Sequence, residues 1–141
     1  MKLIFLSDTF YSKYQTCSEI LQKKDRPYAC LAVRIEHILF AIPFRHHIPH
    51  QHAFFTVKDC GLDYTKAVVI SELAFISSEQ AHIDQVEFNA LKGKDHIIEN
   101  GMRKYLRLYK KAYQYRTNPR YRNILRYSSL KHFHEYLNLP F

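Results

Sequence analysis

The sequence predicts an α+β fold: a twisted, mostly antiparallel β-sheet flanked by helices, with the C-terminal half helical. Before about residue 80 the chain runs in short segments rich in β-branched and aromatic residues, separated by polar or glycine-containing turns. Beyond it, apolar residues recur at spacings of three and four, the period of a helix with one buried stripe. The links between strand segments are too short for the crossovers that parallel neighbours require, so the pairing should be antiparallel. A chain of 141 residues, 47% of them hydrophobic, suits a single domain spanning 1–141 around one core.

Taken in order, the expected strands are KLIFLS (2–7), YACLAVRIE (28–36), HILFAIPF (37–44), HAFFTV (52–57), AVVIS (67–71) and LAFIS (73–77). The second and third leave almost no loop between them, which calls for a tight hairpin at Glu36 and His37. SEILQK (18–23) reads as a short helix interrupting the strands. IDQVEFNALKG (83–93) reads as a helix closed by Gly93, and an amphipathic helix follows from about Asp95 to Gln114. Its stripe is Ile97, Ile98, Met102, Tyr105, Leu106 and Tyr109. Asn118 before Pro119 has the form of an N-cap with proline in the first turn, and Ser128 or Ser129 caps a last helix, LKHFHEYL.

Charge narrows the partner. The formal net charge is +8, which favours a polyanion. Between Arg103 and Lys131 stand ten basic residues and no acidic one: Arg103, Lys104, Arg107, Lys110, Lys111, Arg116, Arg120, Arg122, Arg126 and Lys131. Six tyrosines, at 105, 109, 113, 115, 121 and 127, are interleaved with them. Cations neutralise phosphates and exposed rings stack unpaired bases, a mixture suited to single-stranded or folded RNA. The plainer reading is a solvated basic face with the tyrosines packed inward. Lys104, Arg107 and Lys111 share a helix face by spacing. No apolar run approaches the roughly 20 residues of a spanning helix, and MKLIFLSD meets a polar break too early for a signal-peptide core. The expectation is a cytoplasmic protein with no membrane attachment. Cys17, Cys30 and Cys60 share no CxxC spacing, so neither a disulfide framework nor a thiolate zinc site is indicated.

The chemistry concentrates in FAIPFRHHIPHQHAFF (40–55), which holds Arg45, His46, His47, His50 and His52 directly after a strand segment. His47, His50 and His52 offer zinc-ligand candidates, but no HExxH helix and no carboxylate cluster accompanies them. A histidine-rich loop without chemistry is a second reading. The third is acid/base chemistry on a phosphodiester: histidine takes or gives a proton near neutrality, and arginine presents a fork of donors to phosphate oxygens. The three remain open on spacing alone. At the level of function, a non-catalytic RNA-binding module and a DNA-binding regulator are the competing classes. No helix-turn-helix spacing supports the latter.

The run KKDRPYACLAVRIEHILFAIPFRHHIPHQHAFFT, then GLDYTKAVVI, and later EFNALKGKDHIIENGMRKYLRLYKKA, resembles the toxins of type III toxin-antitoxin systems, most closely the TenpN branch related to ToxN and AbiQ. The likeness covers nearly the whole chain in the same order. It implies a compact twisted antiparallel sheet flanked by helices and a metal-independent, sequence-specific endoribonuclease that needs no cofactor. Cleavage in such toxins leaves a 2′,3′-cyclic phosphate and a 5′-hydroxyl. The implied partners are a small repeated RNA antitoxin, processed and bound in a closed protein and RNA assembly, and cellular or phage RNA substrates in a bacterial cytoplasm. At the strand end the ToxN relatives carry proline, an apolar residue, threonine and serine. Here Pro43 and Phe44 are followed by Arg45 and His46, so His46 occupies the serine position. A lysine two places later corresponds to Ile48, which cannot replace it. An upstream lysine matches Arg26, beside Pro27 and Tyr28. The resemblance thus implies His46 or His47 in proton transfer, Arg26 and Arg45 stabilising phosphate, and Tyr28 positioning substrate. Lys24, His50 and Lys66 are further RNA-contacting candidates, with the basic residues from Arg103 to Arg122 as the wider binding surface.

Overall fold

A computed structural model describes residues 2–23, 25 and 27–140; Lys24 and Arg26, two of the expected site residues, lie outside them. The chain forms one six-stranded sheet in which every pairing is antiparallel. β1 (Lys2–Phe5) pairs with β2 (Ala29–Ile35), β2 with β3 (Ile38–Arg45), and β4 (Ala53–Val57) with β5 (Cys60–Asp63). β5 takes the far end of β3, through Phe44 and Arg45, while β6 (Val68–Val69) takes its middle, through Phe40 and Ala41. β3 is therefore the hub of the sheet, and its residues Phe40 to Pro43 are buried on both faces.

The hairpin at Glu36 and His37 forms as expected: both have positive φ, 55° and 114°, the handedness that matches the twist of the flanking strands in a two-residue turn. β5 was not anticipated. It runs from Cys60 into the start of the GLDYTK stretch and returns from β4 through Lys58, another positive-φ residue.

Three other expectations give way. Residues 18–23 are not helical; Gln22 instead donates its side-chain amide to the carbonyls of Tyr14, Cys17 and Ile20, holding an irregular loop that buries Ile20. The helix of this region is α1 (Asp8–Lys13), capped by the Ser7 hydroxyl accepting from the Phe10 N–H. Residues 73–77 form a 3-10 turn, Leu73–Phe75, with a single bridge from Leu6 to Ile76. Turning there packs Phe75 against the contacting rings of Phe10 and Tyr14, at separations of 5.5 and 6.2 Å, and leaves Leu73 in solvent. The 67–71 strand is reduced to its two residues in β6.

The C-terminal half is helical. α2 (Gln85–Leu91) leads to α3 (Asp95–Gln114), whose buried stripe is Ile98, Met102, Tyr105, Leu106, Tyr109 and Ala112. Ile97 falls outside the stripe and is exposed. α3 packs across β2 and β4. Asn118 caps the Pro119–Tyr121 turn that opens α4 (Arg122–Tyr127), and Ser128 caps a final 3-10 segment, Ser129–Tyr136, kinked at Phe133. That segment docks on β6, where Ser129 donates to the carbonyls of Thr65 and Ala67. No helix among the described residues is long and apolar enough to cross a membrane.

Candidate active site at the end of β3

β3 delivers Arg45 and His46 at consecutive positions, and the two-residue period of a strand sends them to opposite faces of the sheet. The register makes this explicit. Arg45 lies opposite Gly61, so His46 falls opposite Cys60, while Asp63, two residues along β5, shares the Arg45 face.

On that face, Asp63 is fully buried and its carboxylate is the centre of a polar cluster. It accepts from Arg45 Nη1 at 2.7 Å, from the Thr65 N–H at 2.9 Å and from the Thr65 hydroxyl at 2.6 Å. His50 Nε2 lies 3.2 Å from one oxygen and 3.3 Å from the other. The tautomer of His50 follows from its other nitrogen: Nδ1 accepts from the His52 N–H at 3.0 Å, so the ring proton is on Nε2 and points at Asp63. Both nitrogens of His50 are thus engaged. A buried carboxylate is tolerated only when paired and hydrogen-bonded, and here three residues supply the donors. Asp63 and Thr65 escaped the sequence reading, although an aspartate two places before a threonine is the pattern of a side chain closing its own turn.

Lys66 also faces inward. Its ammonium donates to the backbone carbonyls of Glu19 and Tyr127, at 3.1 and 3.0 Å. Burial pushes its pKa down, with Arg45 and Lys131 adding to the effect and Asp63 and Glu19 opposing it. Beside it, Glu19 gathers Lys131 at 3.2 Å and His132 at 2.7 Å. Although its partial burial acts the other way, these two donors hold the Glu19 carboxyl at about 2.

On the opposite face, His46 Nδ1 lies 3.0 Å from the Cys60 sulfur, and that sulfur lies 3.7 Å from an oxygen of Asp59. Partial burial and the carboxylates of Asp59 and Glu87 push the Cys60 thiol up, so it stays protonated at neutral pH. Two proton arrangements fit: the thiol donates to Asp59 while His46 donates Nδ1–H to sulfur, which makes Nε2 of His46 an acceptor, or the thiol donates to Nδ1 and the ring proton sits on Nε2. Nε2 has no hydrogen-bond partner among the described residues. His46 borders a groove of about 490 Å³, with Tyr28, His82, Asp84 and Glu87 also in its wall. Tyr28 also contacts the small pocket that holds Lys66 and Pro43, so it stands where the two faces meet.

His47 turns outward in a left-handed conformation, φ 56°, and its Nδ1 lies 3.1 Å from Asp59. That bond, first among the causes, holds the Asp59 carboxyl below the usual range. His47, His50 and His52 therefore point to different partners, and among the described residues no group of three or more His, Cys, Asp or Glu side chains is arranged to hold a metal ion. The three cysteines are free.

The basic surface divides in two. Tyr105, Tyr109 and Tyr121 are buried, while Tyr115 and Tyr127 are exposed. Arg116 and Arg126 lie over the rings of Tyr113 and Tyr127, at 4.7 and 5.3 Å. Arg103 is shared with Glu99 and Asn100 on its own helix. Lys104, Arg107, Lys111, Arg116, Arg120 and Arg122 project into solvent, and Lys110 is half-buried. Arg107, Lys110, Lys111 and Arg116 line an open cleft of about 730 Å³ with Tyr113 and Tyr115.

Neither a family model, nor a curated protein, nor a solved structure matches the chain.

Proposed function

We propose that the protein is a metal-independent, sequence-specific endoribonuclease that cleaves RNA by attack of the ribose 2′-hydroxyl, acting as the toxin of a type III toxin-antitoxin system in a bacterial cytoplasm. The observation that carries this reading is the end of β3 on a cationic protein, where Arg45, locked by buried Asp63, and His46, whose Nε2 has no partner among the described residues, leave consecutive positions on opposite faces, with Tyr28 bordering the pockets on both. A phosphodiester crossing the strand end meets both. His46 Nε2 takes the 2′-hydroxyl proton as the oxygen attacks phosphorus. Arg45, with Arg26, offsets the charge on the phosphorane oxygens. His47, faced by the Asp59 carboxylate, gives a proton to the departing 5′-oxygen. The products are a 2′,3′-cyclic phosphate and a 5′-hydroxyl. The exposed cations of α3 and the segment to Arg122 hold the RNA, including a small repeated antitoxin RNA that the enzyme processes and that restrains it in a closed assembly.

The test is cleavage of RNA in the presence of chelator, with the chemistry of the new ends mapped. Cyclic-phosphate ends are expected, with a loss of about a hundredfold or more in His46→Ala, the usual size of an acid/base contribution. Full activity in both His46→Ala and His47→Ala, or activity abolished by chelator alone, would overturn the mechanism.

A further inference from the structure

Beside the Asp63 cluster, a cleft of about 500 Å³ opens between the start of β4 and the middle of α3. Gln51, His52, Tyr64, Lys104, Tyr105 and Leu108 line it. Its volume is that of a small-molecule site, and its wall carries no acidic side chain. The His52 ring is half-buried and rests against the Tyr105 ring, with centroids 5.7 Å apart. Tyr105 is itself fixed by its hydroxyl, which donates to Ser128 at 2.8 Å. His52 is thus a propped aromatic plate with one side toward the cleft. Burial, with help from His50 and Lys104, pushes its pKa down, so the ring is neutral at pH 7. Gln51 adds an exposed carboxamide, able to donate and accept, and Lys104 an exposed ammonium. The floor depends on Gly101: a Cβ there would be driven into the hydroxyl of Tyr64, which donates to the Ile98 carbonyl at 3.0 Å.

A flat neutral ring, an amide and a cation together are the recognition set for an unpaired nucleotide. The cleft also adjoins the candidate active site, since His52 and His50 rings lie 5.8 Å apart and His50 bonds to Asp63. We propose that this cleft is a nucleotide subsite, in which one unpaired base of the RNA stacks on His52, its edge meets Gln51, and its phosphate meets Lys104. The inference rests on the ribonuclease reading and gives it a place where base identity is sensed.

Titration with each of the four ribonucleoside 5′-monophosphates, followed by NMR at the His52 ring protons, tests it without any cleavage. Saturable shifts at His52 are expected, stronger for some bases than others, with inorganic phosphate leaving the ring unmoved. His52→Ala should raise the dissociation constant at least about fivefold, the lower end of a base-stacking contribution. His52→Phe, which keeps a flat ring, should restore most of the affinity. Identical shifts from inorganic phosphate, or unchanged affinity in His52→Ala, would overturn the subsite. If wild-type protein cuts RNA while the monophosphates leave His52 unmoved, the subsite falls alone. If the monophosphates bind at His52 and no RNA is cut, the ribonuclease reading falls and the nucleotide site stands.

Discussion

Replacing Asp63 should cost more stability than any other polar change near the strand end. Its carboxylate is fully buried and receives Arg45, His50 and both donors of Thr65. Removing one partner of a buried pair costs about 3–5 kcal/mol. The Arg45 and His50 side chains are 26% and 27% exposed, so water recovers part of their loss and the low end applies. The stranded Thr65 donors add about 1 kcal/mol. Asp63→Ala should thus lose about 4 kcal/mol, a fall in Tm of about 12–15 °C for a domain of this size. Asp63→Asn keeps the shape and an oxygen for Thr65, and should lose about half as much. Urea and thermal melts of Asp63→Ala, Asp63→Asn, Arg45→Gln and the Asp63→Asn/Arg45→Gln double variant give the cycle, with an expected coupling of about 1.5–3 kcal/mol for a charge-assisted bond. A loss below about 1 kcal/mol in Asp63→Ala, or a coupling near zero, would refute the claim that this buried carboxylate holds Arg45 in place.

Three other consequences are open to measurement. The Glu19 carboxyl is lowered from 4.5 to about 2 by His132 and Lys131, so its contribution is complete above its unfolded value and disappears as pH falls toward 2. Urea midpoints should drop across that acid range in the wild type and stay flatter in Glu19→Gln, with a difference of roughly 2 kcal/mol after solvent screening. Gly61 pairs with both Arg45 and Phe55, and a Cβ there would be driven into the Phe54 carbonyl oxygen; Gly61→Ala should therefore fail to give soluble folded protein or melt at least about 10 °C lower. Single alanine changes at Lys104, Arg107 and Lys111 should each weaken RNA binding and lower the slope of log affinity against log salt by about 0.7, the single-strand value per phosphate contact. An unchanged slope would show that this face does not meet phosphate.

Much of the architecture was legible because it rests on local periodicity. The α3 stripe, the Glu36–His37 turn and the Asn118 cap each follow from a few neighbouring residues whose backbone choices are narrow. Ile97 shows the limit: three- and four-residue spacing admits it to the stripe, but the line of contact with the sheet runs through Ile98, Met102 and Tyr105 instead. The helix expected at 18–23 failed for a related reason, because burying Ile20 beneath the strand end outweighed the weak helical preference of a short segment.

The sequence alone determined that this is an α+β chain with an antiparallel first half, a long amphipathic helix and a concentration of cations and histidines. Those properties are summed over neighbours in the chain. Tertiary structure decided which of those groups work together. The alternation of side chains along β3 parts Arg45 from His46, β5 brings Asp63 to one and Cys60 to the other, and His52 becomes the wall of a cleft under α3. Each of these pairings joins residues far apart in the chain, and their distances are set by strand register and helix docking, which no local spacing encodes.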